Sequence, residues 1–309
     1  MFDSQLRAVV VFAAWVLTSA TAGAADIRAD PSAAAGMGAV LEGKIESGDF
    51  EKFKNFVLEN NKTAEIYLAS PGGNLAEALK IGILARMLKL STVAPSKTLT
   101  NYSRELAAAQ HNLQHAKANY MCASGCFFIF VAGINRRSDG LGPAILGIHR
   151  PFLTANDMKR LGYDQAAAIA DRTRSTVARY LSVMDVPGGY ITAMYSVSPG
   201  RIQWIRNDQF DADFKGFIPE LRDEVDAKCE NHTNPAANAE QEILGPIAGE
   251  QAPSGGLTSG VLLKQRQTRL HCERDFEVEV ALHARQEFAK SRNSQSDRPT
   301  YKGMPPAAH

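Results

Sequence analysis

Three short segments of the sequence contain residue types that together can transfer an acyl group. They are Ala69-Ser70-Pro71-Gly72-Gly73, Cys122-Ala123-Ser124-Gly125-Cys126 and Gly147-Ile148-His149-Arg150-Pro151. Each segment closes a predicted strand or opens a predicted helix, which is where parallel α/β sheets place their functional sites. Acyl transfer needs a nucleophile, a base and donors to the oxyanion, and the three segments together contain all of these groups.

Ser124 is the predicted nucleophile, because it lies between small residues directly before an apolar helix. At a helix N-terminus, backbone N–H groups and the helix dipole favour a developing negative charge. His149 is the predicted general base, since neutral imidazole accepts a proton near physiological pH. The N–H groups of Gly125 and of Gly72 or Gly73 are the predicted oxyanion donors, because glycine lets the backbone come close to a reacting group.

The elements that must position these residues alternate between strand and helix. Short apolar runs predict strands at residues 39–45, 64–69, 91–94 and 143–148. Apolar residues at helical spacing predict helices at residues 50–57, 75–90 and 163–184, and a nearly all-apolar run predicts a buried helix at 121–133. This alternation predicts an α/β fold with right-handed crossovers on a mainly parallel sheet.

Two regions depart from that rhythm. Residues 95–120 are predicted to be an insertion that contains one amphipathic helix at 103–120. Residues 218–290 are predicted to form a C-terminal extension that contains a strand or a helix. Residues 291–309 are rich in Ser, Asn, Pro and Lys, and they are predicted to be a disordered tail.

The N-terminus has the order of a secretory signal. Arg7 precedes an apolar run, and Ala22-Gly23-Ala24 has the small residues of a cleavage site. Residues 1–24 are therefore predicted to be a signal peptide, followed by a linker at 25–38, and the mature chain is expected to be periplasmic or secreted and soluble. Asp3 weakens the positive charge of the signal, so an uncleaved N-terminal helix that anchors the chain is the alternative.

The composition excludes several classes of protein. With 45% hydrophobic and 22% charged residues, the chain is typical of globular proteins. The 34 Lys and Arg residues balance 33 Asp and Glu residues, so no basic excess is present to neutralise a phosphate backbone. We therefore expect no nucleic-acid partner.

The cysteines predict disulfides rather than a metal site. In an exported chain four cysteines favour disulfides, and the first two lack the C-x-x-C spacing of a metal or redox pair. Three connectivities are open, and the favoured one joins Cys122 to Cys126 across the nucleophile turn and Cys229 to Cys272. His111 and His115 stand four residues apart without a clear third ligand, so no metal site and no cofactor are predicted.

The order of the three motifs resembles a known family. S-P-G-G at a strand end, a serine that opens an apolar helix, and I-H-x-P at a strand end are similar to the proteolytic subunit of Clp protease, and more closely to exported bacterial relatives. His149 follows Ser124 by 25 residues, an interval similar to that of the family. Over residues 39–217, the resemblance implies a ClpP/crotonase-like spiral of ββα units, serine-type peptide hydrolysis and ring assembly. It also implies that the amides of Gly73 and Gly125 form the oxyanion hole.

The triad departs from the family pattern. The family's Asp follows its histidine by about fifty residues, and that interval here ends in Tyr195-Ser196-Val197-Ser198-Pro199, which contains no carboxylate. Ser198 or Ser196 is therefore predicted to orient the imidazole, and the chain can supply a carboxylate only by folding back. The carboxylates that folding back would bring are Asp208, Asp211 and Asp213.

These observations predict a periplasmic serine hydrolase that acts on peptide or protein substrates through an acyl-enzyme, with a Ser-His dyad or an atypical triad. The alternative is a non-catalytic binding or scaffold protein that keeps the fold, favoured by the missing triad Asp. Acyl-CoA chemistry on the same fold is disfavoured by export away from the CoA pool. The sequence shows no nucleotide-binding motif, so we expect no ATP-driven unfoldase partner, and a homo-oligomer is left open.

Overall fold

A computed structural model describes residues 24–33, 36–98, 100–140, 142–229 and 259–296. Residues 1–23 of the predicted signal peptide and residues 297–309 of the predicted tail lie outside these ranges. Within these ranges, every helix is too short or too polar to cross a membrane.

The described strands and helices alternate through the first two thirds of the chain. The strands are β1 (Asp26–Ala29), β2 (Gly38–Glu42), β3 (Glu65–Ala69), β4 (Ser91–Ala94), β5 (Cys122–Ala123), β6 (Asn135–Ser138), β7 (Leu146–Ile148), β8 (Gln203–Trp204) and β9 (Gly216–Phe217). The helices are α1 (Asp49–Glu59), α2 (Leu75–Met87), α3 (Asn101–Gln110), α4 (Ala116–Asn119), α5 (Gly125–Ala132), α6 (Ala155–Leu161), α7 (Tyr163–Val183), α8 (Gly189–Ser196), α9 (Asn207–Asp213), α10 (Pro219–Cys229) and α11 (Ser259–Ser296).

Two sheets organise the fold. The main sheet has the order β1-β2-β3-β4-β6-β9; its four central strands are parallel, and β1 and β9 pair antiparallel at its edges. The second sheet has the order β5-β7-β8, with β5 and β7 parallel and β8 antiparallel. The prediction of an α/β fold with a mostly parallel sheet is confirmed.

The helix α5 lies at the centre of the hydrophobic core. Its sequence GCFFIFVA is apolar on every side, and all its residues are buried. A helix of this kind must be covered all round, and α5 packs against α2, against β3 and β4 of the main sheet, and against β5 and β7 of the second sheet. This packing fixes the start of α5, where the predicted nucleophile lies.

The predicted single helix at residues 103–120 is wrong, because the structure has two helices there, α3 and α4. Between them the backbone turns at Asn112, which has a φ of 51°. Leu113 then packs with Val40, Tyr67 and Val93 on the face of the main sheet opposite α2 and α5. The apolar spacing of the sequence runs through this break and therefore concealed it.

Glu42 of β2 stabilises the connection between α3 and α4. Its carboxylate is buried and accepts the backbone N–H groups of Gln114 at 2.9 Å and of His115 at 2.7 Å. Arg28 pairs with the same carboxylate at 2.9 Å. Burial raises the pKa of this carboxyl, but the hydrogen bonds outweigh burial and lower the pKa below its ordinary 4.5.

Replacing Glu42 tests how much its carboxylate stabilises the connection between α3 and α4. Because the folded-state pKa is lower than the unfolded value, the charged group stabilises the fold at neutral pH, and this stabilisation is lost as the pH falls through the folded pKa. We expect Glu42→Gln to lower the free energy of unfolding by about 2 kcal/mol near pH 7, from weakened hydrogen bonds to a charged group. Urea unfolding near pH 7 and near pH 3 measures this loss of stability, and the change Glu46→Gln at a more exposed carboxylate is the control. An equal loss at both pH values would contradict this account.

The described part of the C-terminal extension is helical. A disulfide joins Cys229, at the end of α10, to Cys272 in α11, and a second joins Cys122 to Cys126. Both predicted disulfides are therefore confirmed. The helix α11 runs to Ser296, past the predicted start of the tail at residue 291. Its last six residues, Ser-Arg-Asn-Ser-Gln-Ser, include neither proline nor glycine, the two strongest helix breakers.

Loss of the Cys229–Cys272 disulfide is expected to destabilise the protein. The two cysteines are 43 residues apart in the sequence, and a loop of that length is worth about 4 kcal/mol in the chain-entropy treatment of disulfides. Urea unfolding of Cys229→Ala, Cys272→Ala and the double variant measures the effect. Since each single change breaks the same bond, the three losses should be similar. Losses that add up would contradict this explanation.

Candidate active site

The second sheet places Ser124 and His149 at the ends of neighbouring parallel strands. Ala123 of β5 pairs with Gly147 of β7, and the N–H of Ser124 donates to the carbonyl oxygen of Gly147 at 2.9 Å. His149 directly follows Ile148, the last residue of β7. Because parallel neighbours lie about 4.8 Å apart, the two residues leave the sheet at the same edge.

The glycine-containing segment after β3 lies on the other side of β5. The N–H of Ala123 donates to the carbonyl oxygen of Ser70 at 3.1 Å, and the N–H of Ser70 donates to Met121 at 2.7 Å. Gly72 then meets the nucleophile turn: its φ is 95°, and an added Cβ would lie 2.5 Å from the Cβ of Ser124. Only glycine fits there, so the structure brings together all three predicted segments.

Ser124 has a strained backbone. Its φ is 55° and its ψ is −119°, in the turn between β5 and the first residue of α5. A residue other than glycine costs of order 1–3 kcal/mol in such a region, and this kind of strain clusters at functional sites. In α/β-hydrolases a sharp strand-to-helix turn of this kind exposes a nucleophilic hydroxyl. The side chain of Ser124 is half-buried and does not cap the helix, and its hydroxyl has no hydrogen-bond partner in the described part of the chain.

The Cys122–Cys126 disulfide spans this turn. Both cysteines are fully buried, and their Cα atoms are 5.1 Å apart. The bond therefore ties the last strand residues before Ser124 to the first turn of α5. It restrains the backbone on both sides of a conformation that is otherwise unfavourable.

Two backbone amides beside Ser124 are free to bind an oxyanion. Gly125 is the first residue of α5, so its N–H has no acceptor within the helix. Gly73 bridges to Ile45, but the hydrogen bonds of that bridge use the groups of Gly72 and Asn74, at 2.8 Å each. Neither amide donates a hydrogen bond to any residue in the described ranges.

These two amides lie close together. A Cβ added to Gly125 would be 3.2 Å from the nitrogen of Gly73 and 3.4 Å from its carbonyl oxygen. The two residues are therefore adjacent, as two donors to one oxyanion must be. The structure thus brings together the two glycines that the sequence predicted for this role.

A backbone carbonyl orients the ring of His149. Its Nδ1 is 2.9 Å from the carbonyl oxygen of Arg150. A carbonyl only accepts hydrogen bonds, so Nδ1 carries the proton in the neutral ring and Nε2 keeps its lone pair, which is the tautomer of a general base. Within the described residues Ser124 and His149 are not hydrogen bonded, and catalytic hydrogen bonds often tighten only when substrate binds.

Ser198, the predicted orienting residue, makes no hydrogen bond to the imidazole in the described ranges. Its segment does lie beside that of the histidine, because the N–H of Arg150 donates to the carbonyl oxygen of Val197 at 3.3 Å. However, α8 ends at Ser196, and Ser198 lies exposed in the turn that follows. The hydrogen bond of Nδ1 goes to Arg150 instead.

The other predicted partners of the imidazole are committed elsewhere. The hydroxyl of Ser196 donates to the carbonyl oxygen of Ala193 at 2.7 Å. The three carboxylates pair with neighbours of their own: Asp208 with Arg206, Asp211 with Lys215, and Asp213 with the hydroxyl of Tyr190. In the described part of the chain, no carboxylate binds the His149 ring.

Sequence reasoning missed the backbone carbonyl of Arg150 as the partner of the imidazole. One signal for it was present, because Pro151 follows and the residue before a proline is held in an extended conformation. That restriction helps to fix the Arg150 carbonyl next to the ring of His149. The interval count from the family pattern instead directed attention to side chains.

Comparisons with known proteins found a structural likeness but no match in sequence. No protein-family model matches the chain, and no curated protein matches it. Among solved structures, a point mutant of ClpP1 from Listeria monocytogenes is similar at 16% sequence identity, with a TM-score of 0.39, over 58% of this chain and 88% of that one.

Proposed function

We propose that the protein is a serine hydrolase that cleaves peptides in the periplasm. The observation that carries the proposal is the strained turn at Ser124, which holds an uncommitted hydroxyl beside two free amides. His149 follows the adjacent strand, and the Nε2 of its imidazole is available to accept a proton. This set contains the nucleophile, base and oxyanion donors of acyl transfer.

The chemistry follows the serine-hydrolase pattern. Ser124 Oγ attacks the substrate carbonyl while Nε2 of His149 takes the proton of the serine hydroxyl. The oxyanion accepts hydrogen bonds from the N–H groups of Gly73 and Gly125. The imidazolium then gives its proton to the leaving amine, and an acyl-enzyme remains on Ser124. Water, deprotonated by His149, releases the acyl group. The carbonyl of Arg150 orients the ring throughout, so the site works as a Ser-His dyad.

The periplasmic location and the peptide substrate have separate support. The two disulfides are consistent with an oxidising compartment, and the N-terminal sequence has the order of a secretory signal. The peptide substrate follows from the resemblance of the three motifs to the Clp protease subunit. The enzyme is proposed to act without an ATP-driven partner.

A binding or scaffold protein without activity is the second candidate function. Two observations favour it: the His149 ring has a carbonyl rather than a carboxylate partner, and Ser124 is not hydrogen bonded to the ring. In characterised triads, weakening the carboxylate's role costs about 10⁴ in rate. This candidate predicts that no covalent adduct forms at Ser124.

A fluorophosphonate probe distinguishes the two functions. We expect the mature protein to form one adduct, which peptide mapping by mass spectrometry places on Ser124. The control is Ser175→Ala, which removes an exposed hydroxyl on α7 that donates to the carbonyl oxygen of Asp171, and it should react like wild type. An adduct on a different serine would refute the assignment, and the absence of any adduct would favour the binding protein.

Moving the two proposed oxyanion donors apart should slow catalysis. A methyl group on Gly125 would lie 3.2 Å from the nitrogen of Gly73, closer than an ordinary contact, so it would push the two amides apart. We expect Gly125→Ala to lower kcat by about 10²-fold, the usual cost of losing one oxyanion donor. Ester hydrolysis measures it, and Gly200→Ala, where an added Cβ meets nothing within 4 Å, is the control. Equal rates of ester hydrolysis for both variants would show that these amides do not form the oxyanion hole.

A further inference from the structure

One cavity lies apart from Ser124 and His149. It has a volume of about 580 Å³, which is the size of a small-molecule site. Its floor is Val93 of β4, on the face of the main sheet opposite α2 and α5. His111, at the end of α3, forms one wall, and Arg274 of α11 lies in another. None of the proposed catalytic residues lines it.

His111 presents one nitrogen without a partner. Its ring stacks on Tyr67 at 3.5 Å, and its Nδ1 is 2.8 Å from Asp30 and 3.0 Å from the hydroxyl of Ser32. Burial raises the pKa of the Asp30 carboxyl, but the hydrogen bonds from His111 and Ser32 outweigh it and lower the pKa. The ionised carboxylate therefore keeps the proton on Nδ1, and Nε2 has no hydrogen-bond partner among the described residues.

The acidic groups of the cavity differ in what they can still bind. Asp139 already accepts three hydrogen bonds, from the hydroxyls of Tyr67 at 2.7 Å and Tyr120 at 3.2 Å and from the N–H of Ser96 at 2.7 Å. By contrast, Glu65 pairs with Arg137 through Oε2 only. Its Oε1 has no hydrogen-bond partner within the described ranges and can accept one from a ligand.

The free positive charge of the cavity is on Arg274. Its side chain is exposed and makes no ion pair with any described residue. Two neighbours fix the helix around it: Cys272 is bonded to Cys229, and Phe276 is buried. Arg137, the other cation, is already held between Glu65 and Glu277. The cavity therefore offers one unpaired cation and, separately, unpaired acceptors.

Apolar side chains complete the lining. Met37, Ala64, Val93 and Val278 lie among the charged groups. A ligand that satisfies every wall therefore needs an anionic group, a hydrogen-bond donor of positive charge and an apolar part. A metal ion does not meet these needs, and the described residues form no cluster of three or more metal-ligating side chains.

We propose that this cavity binds a small zwitterion with an apolar side chain, of the α-amino acid class. The carboxylate pairs with Arg274, and the ammonium group donates to Glu65 Oε1 and to His111 Nε2. The apolar side chain packs on Val93 and Val278. This proposal stands on contacts remote from Ser124, so it does not depend on the hydrolase activity.

Isothermal titration calorimetry of the mature protein tests the proposal with three probes of similar shape. L-leucine carries both charges, 4-methylpentanoate lacks the ammonium group, and isoamylamine lacks the carboxylate. We expect L-leucine to bind at least tenfold more tightly than either of the others, because each lost charged hydrogen bond costs about tenfold. Equal affinity for leucine and one single-charge probe would overturn the zwitterion assignment, and no binding of leucine at about 10 mM would overturn the site.

Variants locate the binding site. Arg274→Gln and Glu65→Gln should each weaken leucine binding about tenfold or more. Arg266→Gln removes an exposed cation of the same helix that does not line the cavity, and it should bind like wild type. Circular dichroism checks that each variant is folded. Wild-type affinity in folded Arg274→Gln, or an equal loss in Arg266→Gln, would overturn the assignment.

Discussion

Ser124→Gly is expected to abolish hydrolysis and, at the same time, to raise the stability of the protein. The hydroxyl is the proposed nucleophile, and removing the nucleophile of a serine protease lowers kcat by about 10⁶-fold. The backbone of Ser124 has a φ of 55°, which glycine adopts without strain. Relief of that strain is worth about 1 kcal/mol after the entropy cost of glycine.

Ser124→Ala is the matched control for this result. Alanine also lacks the nucleophile but keeps the strain, so it should be as inactive as the glycine variant and close to wild type in stability. Ester hydrolysis measures activity, and urea unfolding measures the free energy of unfolding. A glycine variant less stable than the alanine variant would show that the turn stores no strain. Retained turnover in either variant would remove Ser124 from the mechanism.

The opposite directions of the two effects separate function from structure. A serine that only allows close helix packing lowers stability when it is changed, and it leaves the chemistry of a distant site intact. A nucleophile on a strained turn behaves in the reverse way, because strain at functional sites persists against stability. The disulfide between Cys122 and Cys126 fits this interpretation, since it restrains the turn from both sides.

The sequence predicted that the three segments meet at one site because the patterns that mark each segment are local. Small residues before an all-apolar helix indicate where α5 begins, and Gly72-Gly73 marks a turn that only glycine can make. The order of strands then brings the three segments to one edge. The conformation of Ser124 could not be predicted, since serine carries no marker for positive φ; it is imposed by the packing of α5.

Long-range contacts explain the elements that were missed. The break between α3 and α4 is held by Glu42, which is 72 residues before Gln114 in the sequence. The strand β6 reads as a polar loop, yet Arg136 within it is buried and donates to the carbonyl oxygens of Gly133 and Met184. Neither contact leaves a periodic pattern that a single sequence can show.

The partner of the imidazole was missed for a different reason. The family pattern directs the search to a carboxylate side chain, whereas the structure uses the carbonyl of Arg150. Every residue has a backbone carbonyl, so the residue type does not show which carbonyl binds the imidazole. A carbonyl dipole orients the ring, but it stabilises an imidazolium less than a carboxylate does.

His149→Ala should lower the rate of hydrolysis by about 10⁴-fold, the upper range for loss of a general base. The hydroxyl of Ser124 is then left without a proton acceptor, and its reaction with a fluorophosphonate should slow in parallel. The matched control is His283→Gln, which changes an exposed histidine of α11 and should leave both rates unchanged.

Added imidazole distinguishes a lost base from a disturbed structure. The ring of His149 is half-buried and therefore open to solvent on one side, so its removal leaves a space that free imidazole can enter. If the ring acts as the base, imidazole should restore part of the activity of His149→Ala, and it should do nothing for Ser124→Ala, where the nucleophile itself is missing. A variant that stays folded but is not rescued at any imidazole concentration would contradict the role of His149 as the base.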